Sequence, residues 1–282
     1  MKKTLTSLLI VLILFTMTAC SKKESKDPVK EPANLLEKIQ QRGYIIVGTS
    51  PDWAPYEFID ASKTGDDKYV GSDIELAKYI AEQLGVELKI KPMEFSAILT
   101  ALASGEIDIA ISGLGYTEER DEAIDFSITY HPSDESTGYH GLMVRMEDKD
   151  KYATLEDFEG LVIGAQNGSL QQGFVETQMK NVTIKLIGSL GDGVMMLQTK
   201  AIDALAITSD TGGQYALNNP DIFMTEIKFV TDTSGELVGI PEGEKELVDA
   251  INEIIEDVLA KGLYEQWLIE ATELSESMGI GQ

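Results

Sequence analysis

Cysteine is almost absent from this 282-residue chain: the one copy, Cys20, cannot form a disulfide within it. Histidine is nearly as scarce, with only His131 and His140, so the nitrogen and sulfur ligands of zinc and iron sites are few. Basic residues are outnumbered 23 to 48, and the formal net charge of −25 argues against nucleic acid or anionic lipid headgroups as partners, because both reward clustered Lys and Arg. It leaves a small anionic ligand open, since one local arginine with a few aimed amides outweighs a distant charge screened by salt. No Walker loop, Ser-His-Asp order or dinucleotide fingerprint occurs, so neither a catalytic site nor a bound cofactor is expected.

Long apolar runs are also missing. The run at residues 8–15 falls short of the roughly 20 residues of a membrane-spanning helix. Preceded by Met1-Lys-Lys, it has the form of a secretory signal over residues 1–19. Met17-Thr-Ala-Cys20 resembles a lipobox, with Met17 where the pattern usually has Leu, which implies that Cys20 becomes the lipidated first residue of the mature protein. Residues 20–33 are polar, carry prolines and show no apolar periodicity, so they are expected to form a flexible tether. Such an anchor places the protein on the outer face of the cytoplasmic membrane.

Beyond the tether, strand and helix patterns alternate. Tyr44–Thr49 is a short apolar run, Ser72–Leu84 has helical spacing, and residues 86–90 alternate like a strand. Residues 95–103 are again helical, and Asp108-Ile-Ala-Ile-Ser112 is a strand with a glycine-rich loop at its carboxyl end, the edge where open α/β sheets bind ligands. The plan recurs with strands at residues 161–165, 182–186 and 202–207 and helices after Gly168-Ser169 and at residues 194–197. Two copies of one plan predict an α/β protein of two lobes.

The loop itself, Ser112-Gly-Leu-Gly-Tyr-Thr-Glu-Glu-Arg120, combines glycines that admit close backbone approach, a helix start at Thr117 and a guanidinium fork. Arg120 can grip a carboxylate, or it can pair with Glu118, Glu119 or Asp121 on a helix face. The loop resembles the ligand loop of the bacterial extracellular solute-binding proteins of family three, the amino-acid-binding partners of ABC importers. That resemblance extends from about Tyr44 to Trp267 and ends in Lys261-Gly-Leu-Tyr-Glu-Gln-Trp267, similar to the family's closing helix. It implies a periplasmic-binding-protein fold (type II) with the ligand cleft between lobes. The first lobe would comprise residues 34–142 and 232–282, the second residues 143–231. The chain would cross first near residues 141–145 and again near residues 229–237. The final helix would pack through Leu247, Ile251, Ile254, Ile255 and Leu259.

The same resemblance assigns the pocket. Trp53, in Gly48-Thr-Ser-Pro-Asp-Trp53, and Phe95 would clamp the ligand from opposite faces. Ser112, Gly113, Gly115 and Arg120 would hold its carboxylate, joined by the amides of Ser169 and Leu170 at the second lobe's helix start. Asp73 matches a family position but is also a good N-cap residue. Two departures stand out. Gly115 occupies the place of a hydroxyl directed to the ligand ammonium, and Thr208 that of the aspartate which pairs with it. Either Asp210 substitutes, or the ligand lacks that ammonium. Ser50 stands where binders of basic amino acids often carry an acid, which speaks against lysine or arginine.

His131 and His140, with Asp134 and Glu135 between them, fit no common metal spacing, and no metal is expected. Glu118 and Glu119 are adjacent on a helix and diverge by about 100°, so they do not form a catalytic pair. The expected partners are a small carboxylate ligand and a membrane permease, with the protein a monomer. A ligand sensor uncoupled from import, or a periplasmic dehydratase on the same scaffold, are the alternatives.

Overall fold

The computed structural model describes residues 31–132, 138–232 and 235–279. The signal segment, Cys20 and nearly all of the tether lie outside them, as do Asp134 and Glu135. No helix among the described residues is long and apolar enough to cross a membrane.

Helix α1 (Leu35–Arg42) starts where the Asn34 side chain accepts from the Glu37 N–H and stops at Gly43, whose φ of 78° few other residues tolerate. Strands β1 (Tyr44–Thr49), β2 (Phe58–Ile59) and β3 (Tyr69–Val70) precede helix α2 (Ser72–Leu84). Strand β4 (Glu87–Pro92), helix α3 (Ile98–Ala103), strand β5 (Ile109–Ala110), the single-turn helix α4 (Glu118–Asp121) and strand β6 (Ile124–Pro132) follow. Next come β7 (His140–Arg145), β8 (Val162–Gln166), α5 (Leu170–Gln178), β9 (Thr183–Ile187), α6 (Leu190–Gln198) and β10 (Ala204–Thr208). Helix α7 (Ser209–Asn218), strands β11 (Ile222–Lys228) and β12 (Gly235–Pro241), and helices α8 (Lys245–Lys261) and α9 (Leu263–Met278) complete the order.

These strands form two five-stranded sheets, ordered β4-β1-β5-β12-β6 and β11-β7-β10-β8-β9. In each, parallel pairs (β4, β1, β5; β9, β8, β10) abut antiparallel neighbours. Parallel pairing requires crossover connections, which α2, α3, α5 and α6 supply. The repeated plan expected from the sequence is therefore present as two lobes.

Residues 141–145, read from sequence as the first crossing, instead belong to β7, deep in the second sheet. Leu142, Met143 and Val144 are fully buried there, so this apolar run is core and not connector. Strand β6, ending at Pro132, belongs to the first sheet and β7, starting at His140, to the second; β11, ending at Lys228, belongs to the second and β12, starting at Gly235, to the first. The helix expected at residues 95–103 begins as a separate 3-10 turn at Phe95–Ala97, and the strand expected at residues 108–112 narrows to β5. Asp108 is instead a tie, accepting from Arg42 and from the Ile46 N–H.

Helix α8 returns to the first sheet and buries Leu247, Ile251, Ile254, Ile255 and Val258 against Tyr130, Val238 and Ile240. Leu259, assigned to that stripe from sequence, is 42% exposed, because Val258 continues the i, i+3, i+4 course and its neighbour turns about 100° away. Gly262, at φ 62°, breaks the chain into α9, where Trp267 meets Tyr79 with ring centroids 5.7 Å apart.

Gly71 sits before α2 at φ 126°, and a Cβ there would lie 2.0 Å from the Tyr56 carbonyl oxygen. Gly71→Ala is expected to cost about 3 kcal/mol or more, from strain and displacement of the backbone at Tyr56. A denaturation midpoint within error of the parent would show that the loop yields freely.

Candidate functional site

Between the two sheets lies a cavity of about 440 Å³, a size typical of small-molecule sites. Its best-defined charge is Arg120. The loop after β5 ends in α4, where the Thr117 side chain caps by accepting from the Arg120 N–H at 3.1 Å. The Arg120 side chain is thereby set at the cavity wall, 5% exposed. One guanidinium nitrogen donates to the Gly115 carbonyl at 2.5 Å, and the other crosses to the Gly168 carbonyl of the second lobe at 2.8 Å. Its carbon lies 5.6 Å from the centre of the Phe95 ring. Among the described residues no ion pair forms with Glu118, Glu119 or Asp121, which removes the helix-face reading of this arginine. Burial draws its pKa down to about 10, so it is still cationic at neutral pH.

Trp53, Phe95, Gly113, Gly115, Arg120, Ser169, Leu170, Thr208 and Asp210 all line the cavity, whereas Ser112 does not. Ser112 is fully buried one layer behind, where its hydroxyl donates to Glu57 at 2.8 Å and accepts from the Ser50 N–H at 3.0 Å. The Gly113 N–H is likewise spent, donating at 2.9 Å to Asp73. Asp73 is no N-cap, since Gly71 holds that place; its buried carboxylate also accepts from the hydroxyls of Tyr130 at 2.9 Å and Tyr264 at 2.6 Å. It thus fixes the loop from behind.

Gly115 and Leu170 are matched across the cleft. A Cβ at Gly115 would lie 2.6 Å from Leu170 Cδ1, so the leucine fills the space a loop hydroxyl would need. Ser169 caps α5, its hydroxyl accepting from the Gln172 N–H at 3.2 Å. Thr208 Oγ1 is buried and has no hydrogen-bond partner among the described residues. Asp210 accepts from Tyr56 at 3.0 Å and from Ser209 at 3.2 Å, and its pKa is raised because burial outweighs those bonds.

Sequence reasoning missed the acid and the base beside the loop. Glu236 and His131 face each other in the β6–β12 register and approach to 3.2 Å, while the backbone of Glu236 bridges to Gly115. Tyr56 and Tyr264 flank the His131 ring, with centroids 5.7 and 5.2 Å away. Burial opposes protonation of His131, but Glu236 with the more distant Asp73 and Asp210 carries its pKa above the ordinary value. No local motif marks this pair, because it arises only when residues 105 apart become strand neighbours. His140 goes elsewhere, to Gln171 at 3.0 Å and the edge of Phe174, so the two histidines do not converge.

The loop carrying Trp53 also joins the lobes. Trp53 and Tyr56 belong to the apolar cluster of Leu190, Leu205 and Ile207 in the second lobe, and one carboxylate oxygen of Asp52 accepts from the Leu190 N–H at 2.7 Å and from Gln166 at 3.1 Å. Leu190 opens α6, so the anion sits at a helix N-terminus where the dipole favours it. The lobes are therefore closed on the cavity.

The sequence profile of the bacterial extracellular solute-binding proteins, family 3, matches residues 45–270. The chain belongs to that family. It is 27% identical over 278 residues to the probable histidine-binding protein of Campylobacter jejuni subsp. jejuni serotype O:2, covering 97% of this chain and 100% of the relative. To the arginine-binding extracellular protein ArtP of Bacillus subtilis it is 28% identical over 279 residues, 94% of this chain and 96% of the other. The Streptococcus pneumoniae amino acid ABC transporter substrate-binding protein AbpA, solved bound to L-arginine, matches with a TM-score of 0.78 and 31% identity over 85% of this chain and 98% of that one.

Two expectations concern how this solute-binding protein closes and titrates. Asp52→Ala leaves the Leu190 N–H without its partner in the closed form, a loss of roughly 1–3 kcal/mol, and should lower ligand affinity by about 10-fold while enlarging the ligand-free radius of gyration in X-ray scattering. Unchanged affinity and radius would remove Asp52 from closure. Burial holds His140 neutral down to about 4, whereas its unperturbed value is 6.5. The unfolded chain therefore takes up the proton first, and stability is lost as pH falls from 6.5 toward 4. Chemical denaturation of His140→Gln across that window should give a flatter profile than the parent, and parallel profiles would contradict the assignment.

Proposed function

We propose that this protein is the substrate-binding lipoprotein of an ABC importer, taking an amino acid or a related small carboxylate into the inter-lobe cavity and presenting it to a membrane permease. The observation that carries the reading is Arg120: a buried guanidinium whose protein partners are two neutral carbonyls, on the wall of the inter-lobe cavity. Burying such a charge without an anion is costly, and a ligand carboxylate supplies the anion. Its contact with the Gly168 carbonyl means that the group receiving the ligand also touches the second lobe, so ligand binding and closure share one residue. Hinge closure around a ligand is well established for periplasmic binding proteins.

Support for an amino acid comes from relatives described as binding histidine, arginine and cystine. Asp210 and Glu236 at the same cavity favour a ligand that also carries a cationic nitrogen, so the deaminated alternative has less support. The aromatic rings of Trp53 and Phe95 would cover its apolar parts. In this reading the N-terminal segment is removed, Cys20 carries the lipid that holds the protein outside the cytoplasmic membrane, and the protein acts as a monomer. Binding without turnover is favoured over dehydration: even the neighbour described as a precursor of cyclohexadienyl dehydratase, 25% identical, is described as an ancestral amino-acid-binding protein. Import is preferred to sensing because the relatives include ABC transporter proteins.

Arg120→Lys keeps the charge but removes the two-pronged donor, and calorimetric titration with a panel of L-amino acids should show an affinity loss of about 100-fold for whichever binds the parent. Retention of full affinity in this variant would place the carboxylate elsewhere.

A further inference from the structure

We infer that Glu236, at the start of β12 in the first sheet, is the anchor for the ligand's α-ammonium, taking the part that Thr208 cannot play. The assignment rests on the reading that Arg120 holds the ligand carboxylate.

In an α-amino acid the ammonium is bonded to the carbon that bears the carboxylate, so its counter-charge must stand beside the group that grips the carboxylate. Arg120 donates to the carbonyl of Gly115. The residue bridged to Gly115 across the sheet edge is Glu236, and the neighbouring Leu237 N–H donates to the Leu114 carbonyl at 2.9 Å. The Glu236 carboxylate is thereby led along the ligand loop: its Oε1 lies 3.8 Å from where a Gly113 Cβ would stand. Guanidinium and carboxylate thus both stand at one short loop, residues 113–115, and both residues line the cavity, as the neighbouring charges of a zwitterion require.

The state of the oxygens separates Glu236 from the other candidate. Asp210 has both carboxylate oxygens engaged, Oδ2 by the Tyr56 hydroxyl and Oδ1 by the Ser209 hydroxyl. Glu236 uses Oε2 for His131, and no hydrogen bond to Oε1 is found among the described residues. Its side chain is 18% exposed, and that residue lines the cavity. Thr208 offers only a hydroxyl already out of reach of solvent. A primary ammonium has three donors and needs acceptors; Oε1 of Glu236 is the anionic acceptor left open. His131, in ring contact with both Tyr56 and Tyr264, fixes the other oxygen and so orients the carboxylate. Asp210 then remains for a donor on the ligand side chain.

The test compares each amino acid with its α-deaminated counterpart: L-arginine with 5-guanidinopentanoate, L-histidine with imidazolepropionate and L-leucine with 4-methylpentanoate. Calorimetric titration is made on the parent, Glu236→Gln and Asp210→Asn. The parent should prefer the α-amino form by roughly 100-fold, Glu236→Gln should shrink that preference below about 10-fold, and Asp210→Asn should keep it. The preference is a ratio within one protein, so a general loss of stability does not imitate the effect. Should Glu236→Gln fail to fold, Glu236→Asp, which keeps the charge but draws it back from the loop, should show an intermediate ratio. An undiminished preference in Glu236→Gln, or one lost only in Asp210→Asn, overturns the anchor while leaving the carboxylate reading intact. Equal binding of both forms by the parent overturns it as well, and binding of none of the six compounds brings down the underlying reading together with the anchor.

Discussion

Asp73 is the constraint on which the ligand loop depends. Its fully buried carboxylate accepts from the Gly113 N–H, from Tyr130 on β6 and from Tyr264 on α9, joining loop, sheet and closing helix at one point. A carboxylate so placed is expensive to desolvate, and burial raises its pKa against the opposing pull of the three bonds. Remove any donor and the desolvation penalty is no longer offset. The path of the loop, and with it the direction of Arg120, is therefore tied to the packing of α9, which also reaches the second lobe where Ser275 donates to Gln214. Apart from Gly113, nothing in this arrangement touches the cavity directly. It determines what does.

A second consequence concerns the economy of closure. The first-lobe loop that carries Asp52, Trp53 and Tyr56 inserts apolar surface into the second lobe's core and places an anion on the N-terminus of α6. Arg120 reaches the Gly168 carbonyl, and Leu170 fills the space above Gly115. These contacts exist only with the lobes together, so part of the closing free energy comes from the protein itself and the ligand need supply only the remainder. A side chain on either partner of the Gly115–Leu170 pair alters closure and cavity shape at once. A loop hydroxyl at position 115 would have to displace the Leu170 side chain.

The alternation of strands and helices was legible because periodicity is a local property: Tyr44–Thr49 and Ser72–Leu84 coincide with β1 and α2 to the residue. Where local pattern and tertiary role diverge, the reading failed. The run at residues 141–145 is apolar for the reason any central strand is, and the sequence offers no mark distinguishing it from a connecting strand between lobes. Leu259 satisfies helical spacing as well as Val258 does, and only the position of the sheet selects between them. Ser112 carries a hydroxyl in a ligand loop, yet strand β5 turns it toward Glu57 and away from the cavity. Tyr56, three residues after Trp53, carries no local mark of its bond to Asp210 across the lobes.

The sequence by itself determined the family, the two-lobed α/β plan and the cationic residue at the cavity, because loop glycines, capping residues and apolar periods act over a few residues. Tertiary structure alone decided which acids accompany Arg120. Glu236 reaches the loop through strand pairing with residues more than a hundred positions away, and Asp210 and Thr208 are ranked by which oxygens other side chains have already engaged. Hydrogen-bond capacity is spent in three dimensions, and a sequence lists the donors and acceptors without saying which remain free.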